Sequence, residues 1–136
     1  QTCALPSSAR GLVFTAGAND NLFVVLQLET ERGWANRDAI FSVPGIDACF
    51  IGPNDLALSL GLPGQLDHPT VQAAIQEIFD SAAAHGVAPG IHGFSVENCQ
   101  RYERMGARCQ AFSSEMGFFL QASRAGLREL RGEVSG

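Results

Sequence analysis

Two short apolar runs, each leading into a carboxylate, constrain this chain more than any other feature. The stretch from Val24 to Leu56 reads VVLQLETERGWANRDAIFSVPGIDACFIGPNDL. Leu22 to Leu28 runs into Glu29, and Ala48 to Ile51 runs through a Gly-Pro turn into Asp55. Both runs are apolar on both faces and rich in β-branched or aromatic residues. That is how a parallel strand buried on two sides reads, as opposed to an alternating antiparallel one. Trp34 to Ser42 is long enough for one crossover helix, capped by Thr30 or Asn36 and stopped by Pro44-Gly45. The carboxylates therefore stand close to one βαβ repeat apart, roughly 30 residues. On neighbouring parallel strands they would lie side by side at the carboxyl edge of the sheet, where α/β proteins build their chemistry.

The rest of the chain repeats this unit. Gly52 to Asp67 is a long connection in which Leu56 to Leu60 can form one helical turn. Pro69 suits the first position of a helix capped by Asp67 or His68. Val71, Ala74, Ile75, Ile78, Phe79 and Ala82 then recur at helical spacing until Gly86. A third strand is expected over Val87 to Ile91, although Pro89 marks an edge or an irregularity. Ser95 starts a helix that Gly106 ends, and Arg108 to Phe112 is the fourth strand. A last helix, Glu115 to Leu130, is expected to bury Met116, Phe119, Leu120 and Leu127. Residues 1–21 read as irregular, and residues 1–136 as a single domain. The fold class is α/β, a parallel (βα)₄ unit. Two architectures satisfy it: a small open doubly wound sheet with helices on both faces, or half of a (β/α)₈ barrel, which takes about 250 residues when whole.

Composition narrows the function. A net charge of −5 with no long basic run argues against a nucleic-acid partner. No apolar run approaches the roughly 20 residues that span a bilayer. All nine basic residues are arginine, so no lysine is available for a Schiff base. Cys3, Cys49, Cys99 and Cys109 form no metal-binding spacing. They are expected to be reduced thiols of a cytoplasmic protein, with Cys49 and Cys109 inside buried strands. The chain starts without Met and without the basic flank of a secretory leader, and is expected to be part of a longer one.

Glu29 and Asp55 are the main chemical pair. Two hard oxygens on adjacent strand ends suit Mg²⁺ or Mn²⁺, and each could equally cap a helix or face solvent. Gln27 shares a strand face with Glu29 and could bind a ligand or a structural partner. The turn Gly52-Pro53-Asn54-Asp55 offers backbone N–H groups to an anion, and many surface turns read the same way. His68 and His85 fall at helix ends. His92 follows the third strand at the functional edge. Ser113 or Ser114 caps the last helix, and no His-Asp pattern accompanies them as in a serine nucleophile.

Taken together, VVLQLET, GIDACFIGPNDLALSLG, HPTVQAAI and GARCQAFSSEMGFF resemble the HpcH/HpaI aldolase family, within the citrate lyase β-like and phosphoenolpyruvate/pyruvate barrel group. The resemblance covers residues 22 to 131, and the order of Q-x-E-T and F-I-G-P-x-D-L makes it specific. It implies the C-terminal half of a (β/α)₈ barrel. It also implies a carbon–carbon lyase that cleaves a 4-hydroxy-2-oxo acid to pyruvate, or a close 2-oxo acid, and an aldehyde. By position, Glu29 and Asp55 would ligate a divalent cation, Mg²⁺ or Mn²⁺ with Co²⁺ as a further option. Gln27 would contact the 2-oxo acid, and Gly52, Asn54 and Asp55 would present backbone to its carboxylate. By the resemblance, the proton-transfer His and the substrate-binding Arg are expected in the family's first four βα units, which this chain is expected to lack, so its catalytic residues are left unassigned. Two other readings stand beside this one: an acyl-CoA lyase of the citrate lyase β type, and a non-catalytic half-barrel. The partners implied are a small 2-oxo acid and either a second copy or the missing barrel half.

Overall fold

Four parallel strands lie side by side in the order of the sequence, as short apolar runs separated by helical crossovers dictate. The computed structural model describes residues 17–19 and 22–132, so Cys3 and almost all of the irregular segment 1–21 lie outside the described residues. The strands are β1 (Val25–Leu28), β2 (Ala48–Ile51), β3 (Ala88–Gly93) and β4 (Cys109–Phe112). The helices are α1 (Glu31–Ala35), α2 (Arg37–Phe41), α3 (Pro53–Ser59), α4 (Pro69–Ala84), α5 (Val96–Met105) and α6 (Glu115–Leu130). Register places Gln27 beside Phe50, Phe50 beside Gly90, and Gly90 beside Cys109.

The core lies on one face of this sheet. Leu28, Cys49, Ile51 and Ile91 are buried there against Val71, Ala74, Ile75, Ile78 and Phe79 of α4 and Tyr102 of α5. Side chains alternate along each strand, so Val25, Gln27, Phe50 and His92 stand on the opposite face. That face carries no core cluster among the described residues; Val25 is exposed and Phe50 is half-buried. One helix-covered face and one open face make this a (βα)₄ half of a (β/α)₈ barrel, and the doubly wound alternative falls away. The expectation that the strands are covered on both sides holds for the helical face alone.

Local signals explain where the elements start. Thr30 Oγ1 accepts from the Gly33 N–H and caps α1. His68 Nδ1 accepts from the Thr70 N–H ahead of Pro69, so His68 is the cap of α4. Ser95 and Ser114 cap α5 and α6 in the same way. Gly86 and Gly106 take positive φ values of 75° and 112° just past α4 and α5, where a side chain would be strained.

Five expectations are corrected. The crossover after β1 is two short helices with Asn36 between them. It is fastened to α4 through Glu77, whose Oε2 accepts from Trp34 Nε1 and pairs with Arg37, both at 3.0 Å. The helical turn near Leu56 extends from Pro53 to Ser59, because Pro53 supplies a favourable first position. Strand β3 runs to Gly93, tolerating Pro89 near its start. Finally, α6 buries none of its residues: Met116, Phe119, Leu120 and Leu127 are all exposed, as is Cys109 on the neighbouring strand.

Candidate active site

Glu29 and Asp55 reach the same place from two directions. Glu29 is the residue after β1, and Asp55 is in the first turn of α3, which follows β2 after Gly52. Pairing of Leu28 with Ile51 sets the two strand ends level. The point of convergence is the space beside Gly52 where a Cβ would stand. A Cβ there would lie 2.6 Å from Glu29 Oε2, 3.4 Å from Asp55 Oδ2 and 3.4 Å from Gln27 Nε2. A side chain at Gly52 would therefore displace the Glu29 carboxylate and stand in ordinary contact with Asp55 and Gln27.

Gln27 serves Glu29 directly: its Nε2 donates to Glu29 Oε2 at 2.6 Å. The amide thus uses one donor to hold the carboxylate and keeps its second N–H and its oxygen for other partners. The backbone after Glu29 is held from α3, where the Glu31 N–H donates to Ser59 Oγ at 3.0 Å. Sequence reasoning did not single out Ser59. Its available signal was the four-residue spacing from Asp55, which puts both on one face of α3.

The other expected residues divide. Asn54 and Asp55 are exposed at the start of α3, and their N–H groups precede the first intrahelical bond, from Leu56 N to Gly52 O at 2.9 Å. His92 is not gathered with the carboxylates. Its Nε2 lies 2.8 Å from the Ser113 carbonyl, and its ring stacks on Phe94 at 4.5 Å. His68 is a helix cap, and His85 Nδ1 lies 2.8 Å from the Ser81 carbonyl at the end of α4. Ser113 has a φ of 56°, while Ser114 is the cap. Burial pushes the Cys49 thiol above its ordinary pKa and leaves it a small core hydrophobe.

Among the described residues, no three His, Cys, Asp or Glu side chains gather into a cluster that would hold an ion alone. Two carboxylates do suit a hard divalent cation that takes its other oxygens from water and substrate. The donor set therefore fits such an ion.

Fold and site together define half of a (β/α)₈ barrel with an acidic pair at the carboxyl edge of its first two strands. The chain belongs to the HpcH/HpaI aldolase/citrate lyase family, whose profile matches residues 2–122. It is 40% identical over 111 residues to the 5-keto-4-deoxy-D-glucarate aldolase of Escherichia coli O6:H1, covering 82% of this chain and 43% of that enzyme. Among solved structures, a HpcH/HpaI aldolase/citrate lyase family protein from Burkholderia cenocepacia superimposes with a TM-score of 0.85 at 33% identity, over 91% of this chain and 49% of the other. The HpcH/HpaI aldolase of Desulfitobacterium hafniense gives 0.83 at 25% identity, over 99% of this chain and 51% of the other. The chain thus spans about half the length of the relatives it matches.

Proposed function

We propose that the chain is the C-terminal half of a metal-dependent aldolase, with Glu29 and Asp55 as the cation ligands and a 2-oxo acid as the ligand bound beside them. The observation that carries this reading is the convergence of Glu29 Oε2, Asp55 Oδ2 and Gln27 Nε2 on the space a Cβ at Gly52 would occupy. A bound Mg²⁺, Mn²⁺ or Co²⁺ would supply Lewis acidity to the carboxylate and keto oxygens of the 2-oxo acid and stabilise the charge that develops as a carbon–carbon bond breaks. Gln27 orients Glu29 through its 2.6 Å hydrogen bond and can present its remaining amide atoms to the substrate. Gly52 admits the ligand close to the backbone, and the Asn54 and Asp55 N–H groups face the role of carboxylate donors. A lysine-free chain has no iminium route to the same reaction.

The substrate class is a 4-hydroxy-2-oxo acid cleaved to pyruvate, or a close relative, and an aldehyde. The aldolase name of the 40%-identical relative favours this over the acyl-CoA lyase alternative. Proton transfer is assigned to a His and substrate binding to an Arg in the barrel half outside this chain. Lacking that proton transfer, the isolated chain should turn over slowly, since such a step is worth ~10²–10⁴-fold. We further assign it a partner, the missing half or a second copy, because among the described residues β1 and β4 each pair on one side only.

The test is Mn²⁺ titration of the 136-residue chain by electron paramagnetic resonance, with and without pyruvate. Glu29→Gln and Asp55→Asn should each weaken Mn²⁺ at least tenfold, and pyruvate should perturb the bound-Mn²⁺ spectrum. Equal affinity in the parent and both variants would remove the assignment.

A further inference from the structure

Glu29 and Asp55 sit on different elements, and the sheet alone does not hold them at a fixed separation. Register controls the chain as far as Leu28 and Ile51. Beyond that point Glu29 leads into α1, while Asp55 rides on α3. One hydrogen bond closes the gap on the far side of the carboxylates: the Glu31 N–H donates to Ser59 Oγ at 3.0 Å. Glu31 is two residues past Glu29. Ser59 is four residues past Asp55, one turn along the same face of α3. The bond therefore completes a closed path through Glu29, Glu31, Ser59 and Asp55.

Two further observations make this path stiff. The first-turn N–H groups of a helix have no intrahelical acceptor. In α1, Thr30 Oγ1 satisfies Gly33, and Ser59 satisfies Glu31. The opposite side of α3 is anchored by Leu56 and Ala57, both fully buried, so the face bearing Asp55 and Ser59 cannot roll away from α1.

We propose that Ser59 is a positioning residue for the carboxylate pair, setting through the Glu31 backbone how far Glu29 stands from Asp55. This rests on the reading of that pair as the cation site. Ser59 acts on the affinity for the cation without touching it.

The experiment removes the bond from each side and reads Mn²⁺ affinity. Ser59→Ala deletes the acceptor. Glu31→Pro deletes the donor at the first helical position, where proline is tolerated. Thr30, at φ −131° and ψ 151°, already has the extended backbone that a following proline requires. Each variant should weaken Mn²⁺ by about tenfold, the scale of one lost hydrogen bond, and the double variant should be no weaker than either alone. Ser59→Thr, which keeps the hydroxyl, should bind within about twofold of the parent, and Glu31→Ala, which keeps the N–H, should match it. Parent-like affinity in Ser59→Ala or in Glu31→Pro overturns the proposal, as does additive weakening in the double variant or failure of Ser59→Thr to restore binding. Glu29→Gln separates the two levels. If it leaves Mn²⁺ binding intact, the cation site itself is wrong. If it weakens binding while Ser59→Ala does not, the site stands and the role of Ser59 is lost.

Discussion

A methyl group at Gly52 would meet Glu29 Oε2 at 2.6 Å, too close for either atom to stay where it is. The backbone there has φ −88° and ψ 94°, open to any L-residue, so the objection to a side chain is purely steric. Gly52→Ala should therefore fold, because the clashing atom is the far end of the half-buried, flexible Glu29 side chain, which can swing aside at a cost of about 1 kcal/mol. Its Mn²⁺ affinity should nevertheless fall at least tenfold, as the displaced carboxylate no longer faces Asp55. A paired thermal melt and Mn²⁺ titration checks this; unchanged affinity would show that the space beside Gly52 is not where the cation sits. The carboxylates and Gln27 were legible in the sequence because strand alternation and the position after a strand fix where such side chains go. Ser59 was not, since its spacing from Asp55 announces a shared helix face but not the approach of α1 to α3, whose bonded residues lie 28 positions apart.

At the scale of elements, the same kind of close approach fixes α5 on β3. A Cβ at Gly93 would run into Cys99 Sγ, with the Cys99 Cα and Cβ next at 3.5 Å. Gly93→Ala should cost about 1–3 kcal/mol, the usual range for an overpacked site. Combining it with Cys99→Ala should return most of that loss, since the sulfur is the clashing atom and the remaining contacts are ordinary. Urea denaturation of both variants measures the coupling; additive destabilisation would mean that α5 is held elsewhere. Strands and long helices were readable from apolar runs, proline and capping residues, as Ser95, Pro69 and Gly106 show. The crossover was not, because its apolar residues do not reveal that Asn36 interrupts it. The apolar stripe of α6 correctly announced a helix and wrongly announced burial. Periodicity identifies a face that needs cover, and it cannot say whether the cover lies in the same chain.

For the whole molecule that missing cover is the dominant fact. Met116, Phe119, Leu120, Leu127 and Leu130 of α6 are exposed together. Beside β4, a groove of about 280 Å³ is lined by Val96, Cys99, Gln110 and Phe112, and Gln110 Oε1 is buried in it without a partner. The open face of the sheet adds Val25, and among the described residues both outer strands offer unpaired backbone. Each large apolar side chain covered is worth ~1.5–3 kcal/mol, so covering this surface would rival the stability of a small domain. The isolated chain should therefore run above its monomer mass of 14.4 kDa in light scattering. A separately produced N-terminal barrel half should compete with that self-association and form a mixed complex. Cleavage of a 4-hydroxy-2-oxo acid should rise with the mixed complex and stay low in the chain alone, because the carboxylates are on one half and the proton-transfer group is assigned to the other. A chain that stays monomeric at every concentration, and releases pyruvate no faster when the second half is added, would show that these surfaces are tolerated as they stand. The dependence of both mass and rate on the added half is the measurement that joins the exposed faces to the chemistry at Gly52.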